Sequence, residues 1–129
     1  AKGSTWIDYD NDRYPDLFVN NLDGVPDLFH NNQNGTFTNV SDQFDLKNPT
    51  AGFSCWAWDF NNDGWEDIFA TSYARTIRDV VKGLMGLEHE LPPSALYLNE
   101  GGKGFRDVTK EAGVDMVFGT MGSNFGDYN

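Results

Sequence analysis

The chain has 129 residues, with 9 Lys and Arg against 20 Asp and Glu, giving a net charge of −11. That length allows one ordinary domain, and that charge repels the phosphates of nucleic acid and of anionic membrane surfaces. Its acids are 15 Asp to 5 Glu, beside 14 Gly and 13 Asn, and Asp and Asn favour turns over helix interiors, so the composition reads as short strands joined by structured loops rather than a helical bundle.

Taken in chain order, Ser4–Asp8 is an aromatic-containing strand that enters an acidic loop, Asp8–Asp16. Leu17–Asn20 leaves the loop as an apolar strand, Asp27–Asn31 follows, and Asn34-Gly35 marks a hairpin into Thr36–Val40. The pattern then recurs. Phe53–Asp59 enters a second acidic loop, Asp59–Asp67, and Ile68–Ser72 leaves it; Ala95–Asn99, a Gly-rich turn at 101–104 and Gly104–Val108 complete the unit. Asp8-Tyr-Asp-Asn-Asp-Arg-Tyr-Pro-Asp-Leu-Phe18 aligns on Asp59-Phe-Asn-Asn-Asp-Gly-Trp-Glu-Asp-Ile-Phe69 at an offset of 51, with five of eleven pairs identical. Leu28–Asn31 and Phe37–Ser41 align on Leu96–Asn99 and Phe105–Thr109 at an offset of 68, so one insertion of 17 residues separates the two registers. Four antiparallel strands per unit of this length are the blade of a β-propeller.

The predicted fold is therefore all-β: antiparallel four-stranded blades of a partial propeller, with a short helical insertion. Residues 1–50 form one blade, residues 51–115 a second, and residues 116–129 the first strand of a further, truncated blade. In the insertion, Ala74–Pro93, residues Ile77, Val80, Val81, Leu84 and Met85 recur at helical spacing, and Gly86 and Pro92-Pro93 end the pattern. This predicts a short amphipathic helix capping the blade edge. The chain starts just before one acidic loop and stops inside another. It is expected to be a piece of a longer propeller, with Trp6, Trp56, Trp58 and Phe125 on blade faces that need neighbours.

In Asp-x-Asp-x-Asp-x-x-x-Asp, oxygens at positions 1, 3, 5 and 9 converge on one point if the loop curls, and a carbonyl at position 7 adds another. Calcium takes six to eight such oxygens, and carboxylates so close repel one another without a cation. The candidate ligands are Asp8, Asp10, Asp12, Asp16 and the Tyr14 carbonyl in the first loop. In the second they are Asp59, Asn61, Asp63, Asp67 and the Trp65 carbonyl. Asp127 and Asn129 match the first and third positions of a third loop. The twelfth positions, Val19 and Ala70, lack the bidentate Glu of an EF-hand, and strands rather than helices follow. At the sixth position the second loop has Gly64, whereas the first has Arg13, which must adopt a costly left-handed conformation or reshape the loop.

With Leu-Phe-His-Asn-Asn32, Gly-Thr-Phe-Thr-Asn-Val40 and Phe-Arg-Asp-Val-Thr-Lys-Glu-Ala-Gly-Val114, these loops resemble the FG-GAP/VCBS repeat, the calcium-loop blade of integrin α-chain propellers. The wording is closest to cartilage acidic protein 1 and ASPIC/UnbV-type proteins. The resemblance implies that bound Ca²⁺ is structural and that other surfaces bind the ligand. It implies an extracellular, cell-surface or periplasmic protein serving adhesion, scaffolding or ligand binding. Its partners would be the remaining propeller blades and a protein or carbohydrate ligand, with no nucleic acid and no membrane insertion. The alternatives are the non-catalytic propeller portion of a secreted hydrolase, lyase or phospholipase, or a structural subunit of a larger surface assembly.

No residue set here points to catalysis. There is no Gly-x-Ser-x-Gly elbow or phosphate loop, and His89 in Leu87-Glu-His-Glu-Leu91 lacks His-Glu-x-x-His spacing. His30, aligned with Leu98, reads as a packing or surface residue. The one cysteine, Cys55, lies in an apolar stretch and reads as a buried structural thiol. Asn34-Gly-Thr36 and Asn39-Val-Ser41 satisfy the glycosylation sequon.

Overall fold

The computed structural model describes residues 1–74, 76–116, 120–124 and 126. Eight strands form two four-stranded antiparallel sheets, each an up-and-down meander in chain order. The first sheet holds β1 (Gly3–Ile7), β2 (Asp16–Asn20), β3 (Asp27–Asn31) and β4 (Phe37–Asn39). The second holds β5 (Gly52–Trp58), β6 (Asp67–Ser72), β7 (Ala95–Asn99) and β8 (Phe105–Asp107). The eight strands predicted for the first two blades are present, with ends shifted by a residue at most places, as expected where strands fray into turns. Helix α1 (Ile77–Leu84) lies between β6 and β7, and Thr76 caps it by accepting the Asp79 N–H.

Alternation decides which side chains meet between the sheets. Ile7, Phe18 and Leu28 point from the first sheet into a shared core with Ile68, Ala70, Ala95, Tyr97 and Phe105 of the second. Translating the first set by the repeat offsets gives Phe69 and Leu96, which lie on the opposite face of the second sheet. The core residues Ile68, Ala70, Tyr97 and Phe105 correspond instead to Leu17, Val19, Phe29 and Phe37. The sheets therefore stack head to tail, one face against the other's opposite face, as neighbouring propeller blades do.

Two glycines permit this approach. A Cβ on Gly3 would lie 2.2 Å from the Phe53 carbonyl oxygen, and one on Gly52 would lie 1.7 Å from Asn20 Oδ1. Asn20, fully buried on β2, donates its amide to the Ser54 and Thr71 carbonyls at 2.8 and 3.1 Å, fastening the sheets together. Tyr97 ties down the segment joining them: its hydroxyl donates to the Asn48 carbonyl at 2.7 Å and accepts the Asn48 N–H.

The helix is present, but it turns its apolar face outward. Ile77, Val81, Leu84 and Met85 are exposed, and no residue of α1 is buried. Asp79 and Lys82 instead line a polar hollow with Glu88, His89 and Glu90. Cys55 is half-buried against the core, and burial pushes its thiol up to about 12. Phe125, Asp127 and Asn129 lie outside the described residues, as does much of the stretch read as a further blade. Ser123 of that stretch meets Ser54 of β5, hydroxyl to hydroxyl at 2.8 Å.

Candidate metal centres

Both acidic loops join the first strand of a sheet to its second, and both fold around their first carboxylate. Asp8 accepts the N–H groups of Asp12 and Arg13, each at 3.0 Å; Asp59 accepts those of Asp63 and Gly64 at 3.0 and 2.7 Å. The third ligand position, Asp10 or Asn61, accepts from Asp12 or Asp63. The fifth, Asp12 or Asp63, accepts from Tyr14 or Trp65. The ninth is held on both sides: Asp16 accepts the N–H groups of Tyr9 and Asn31, and Asp67 those of Phe60 and Asn99. These are matched bonds at matched positions, so two different sequences build one loop geometry.

Arg13 does take the left-handed conformation, with φ +74°, where Gly64 has +89°. The loop geometry is kept and the residue carries the strain. Asn11 and Asn62, two positions earlier, are also left-handed, at +57° and +59°, a conformation asparagine tolerates better than most residues.

In the first loop the donor geometry fits a hard cation. Asp8, Asp10 and Asp12 each offer an oxygen within 4.8 Å of the others. Asp16 and Asp67 are fully buried at the ends of the loops. Burial pushes both carboxyls above the usual carboxylate value, partly offset by their amide donors, and neighbouring acids add repulsion: Asp10 on Asp16, and Asp63 and Asp59 on Asp67. A divalent ion among these oxygens would relieve both the burial cost and the repulsion. The second loop has one carboxylate fewer, because Asn61 replaces Asp10.

The two loops also touch. The Asp8 N–H donates to Glu66 at 2.8 Å, and the Asn11 amide donates to the Gly64 carbonyl. Asn99, buried on β7, donates to the carbonyls of both Tyr9 and Glu66 and accepts from Gly102. Gly102, at φ +73°, sits so close that an added Cβ would lie 3.1 Å from both Asp10 Cα and the Trp65 ring. Asn31 plays the matching part for the first loop alone, donating to the Pro15 carbonyl.

His30, read from the sequence as a packing or surface residue, is part-buried and packs on Tyr9. It stands over the first loop, with Nδ1 3.2 Å from Asp16 and 3.5 Å from Asp10, and its ring meets Tyr9 edge-on. The signal was the strand alternation itself, since His30 is two residues from core Leu28 and shares its face. His89 is instead in the polar hollow beneath α1.

Residues 8–70 match the model of the family described as FG-GAP-like repeat. That span takes in both acidic loops and the strands between them, and the match supports a place in the FG-GAP repeat family. No curated protein matches the chain.

Proposed function

We propose that this chain is a calcium-stabilised propeller segment of an extracellular, cell-surface or periplasmic protein, a binding scaffold rather than an enzyme. The observation that carries the reading is the pair of loops folded by matched hydrogen bonds, each ending on a buried aspartate, with the Asp8, Asp10 and Asp12 carboxylates of the first drawn within 4.8 Å of one another. Ca²⁺ would be held by Asp8, Asp10, Asp12 and Asp16 with the Tyr14 carbonyl, and by Asp59, Asn61, Asp63 and Asp67 with the Trp65 carbonyl. Its role is to neutralise oxygens that otherwise repel, fixing the turn between β1 and β2 and between β5 and β6. Two ions would reduce the net charge of −11 to −7. Extracellular modules of this kind need only Kd values of about 10⁻⁴ to 10⁻³ M, because calcium outside cells is near millimolar. Adhesion, scaffolding or capture of a protein or carbohydrate ligand would then fall to the surfaces these loops hold in place.

Calorimetric titration of the EDTA-treated chain with Ca²⁺ tests this. Two ions per chain are expected, falling to one when Asp63→Ala removes a central ligand of the second loop. Absence of calcium uptake by the folded wild-type chain would overturn the reading.

A further inference from the structure

The turn from β3 to β4 carries a reactive pair. Of the 13 asparagines, Asn34 alone is followed by glycine, and both residues are exposed. The Asn34 Oδ1 accepts the Thr36 N–H at 3.0 Å and the Thr36 hydroxyl at 2.6 Å. A side chain bonded to the N–H two residues on is folded across the peptide between them, so the carboxamide lies over the Gly35 nitrogen. Among the described residues that nitrogen makes no hydrogen bond. A Cβ at Gly35 would meet nothing within 4 Å, so nothing hinders approach to it. The two Thr36 donors also sit on the oxygen where negative charge develops when the carbonyl is attacked.

Asn39 shows what the same geometry looks like when closed. Its Oδ1 accepts the Ser41 N–H at 2.9 Å and the Ser41 hydroxyl at 2.6 Å. Its amide nitrogen, however, is held by Asp27 at 3.0 Å. The residue after it, Val40, is β-branched and buried, and its N–H donates to the Leu28 carbonyl at 2.9 Å.

We propose that Asn34 is a site of spontaneous modification, a turn that deamidates itself to isoaspartate and aspartate. The Gly35 nitrogen, its proton lost to solvent base, attacks Asn34 Cγ; the N–Cγ bond forms, the Cγ–Nδ2 bond breaks, and Nδ2 leaves as ammonia. Water then opens the succinimide at either carbonyl. Opening at the backbone carbonyl leaves isoaspartate, with the main chain running through the side-chain methylene. The net change is amide plus water to acid plus ammonia, with no redox step, and it takes the net charge from −11 to −12. The neighbouring residue links the turn to the first acidic loop: Gln33, left-handed at φ +61°, donates Nε2 to Asp12 at 2.7 Å. A longer backbone beside Gln33 loosens that clasp. The inference is independent of what the acidic loops bind.

The test is to incubate the folded chain warm at neutral and at mildly alkaline pH, in isotopically heavy water, and follow it by anion exchange and peptide mapping. One acidic species is expected, forming faster at the higher pH, with one heavy oxygen at position 34 and more isoaspartate than aspartate there. Asn39 should stay an amide until urea unfolds the chain. Asn34→Gln, whose ring closure would need six members, should lose the acidic species while keeping the wild-type Tm. Persistence of the Asn34 amide in the folded chain under conditions where the urea-unfolded chain loses it would show that the fold protects this turn and overturn the inference. So would an acidic species that maps to another asparagine or survives in Asn34→Gln.

Discussion

At the scale of single residues, each acidic loop is held by its own carboxylates, which accept backbone N–H groups at matched positions. Asp63, at the fifth position of the second loop, accepts the Trp65 N–H with one oxygen and the Asn61 amide with the other. Asp63→Ala should therefore abolish calcium stabilisation at the second loop, while Asp45→Ala, which breaks only an exposed pair with Lys47, should leave it intact. Paired melts with and without Ca²⁺ distinguish the two. Arg13→Gly should tighten the first loop, because a left-handed non-glycine residue costs about 1–2 kcal/mol. Weaker calcium binding in that variant would show that the arginine side chain contributes more than its backbone strain costs.

The raised carboxyls of Asp16 and Asp67 set a pH dependence. A carboxyl whose folded value is raised keeps its proton where the unfolded chain has already lost one. The metal-free protein therefore gains stability from these groups as pH falls toward the ordinary carboxylate value and loses it as pH rises. Calcium needs the ionised forms, so protons compete with it over the same window. The calcium-induced rise in Tm should shrink on acidification, beginning at a higher pH than ordinary carboxylates would give. A rise that stays constant through that window would contradict the assignment of these two residues as ligands.

At the scale of elements, the strands were legible because alternation and turn chemistry agree: Leu17-Phe18-Val19 follows a loop that must turn, and Asn34-Gly35 reverses the chain. The acidic loops were legible because the repeat supplied a second copy in register. The seating of α1 was not. A 3.6-residue period gives an apolar face but not the surface it rests on, and here Asp79 and Lys82 face the protein while Ile77, Val81 and Leu84 face solvent. Leu84→Ser should accordingly change stability by no more than about 0.5 kcal/mol, the usual range for a surface site. Leu28→Ala, at a fully buried core position, should cost about 2–5 kcal/mol. Urea melts of the two variants compare them directly. The surroundings of His30 were legible only in part. Its alignment with Leu98 suggested packing, and only the path of the loop across β3 reveals the carboxylates beneath it.

At the scale of the molecule, head-to-tail stacking leaves two unlike faces turned outward. The first sheet presents Trp6, 61% exposed, and Phe37, 42% exposed, whose rings lie 6.2 Å apart, with Leu17, Val19 and Phe29 beside them. The second presents Trp56, Trp58 and Phe69, whose rings pack together. Because the stacked pair already joins one such face to the other, each outer face is shaped for another sheet of this repeat. The 129-residue chain alone should self-associate with rising concentration or bind ANS, and Trp6→Ser should reduce both. A monodisperse monomer without dye binding at high concentration would mean that these faces are satisfied within the chain.

The loops reach across the boundary between sheets, through Asp8 to Glu66 and through Asn99 to Tyr9, so a cation in either should stabilise the stacked pair as a unit. The most direct measurement is the melting of the chain in EDTA and in excess Ca²⁺, followed by both far-UV and aromatic signals. A ligand at about 100 times its Kd adds about 2.7 kcal/mol per site. At roughly 3–5 °C per kcal/mol for a domain of this size, filling two sites should raise Tm by roughly 10 °C or more. The two signals should move together and return when Ca²⁺ is restored after EDTA. Superimposable melts in EDTA and Ca²⁺ would contradict the account, leaving the acidic loops as turns held by their own hydrogen bonds.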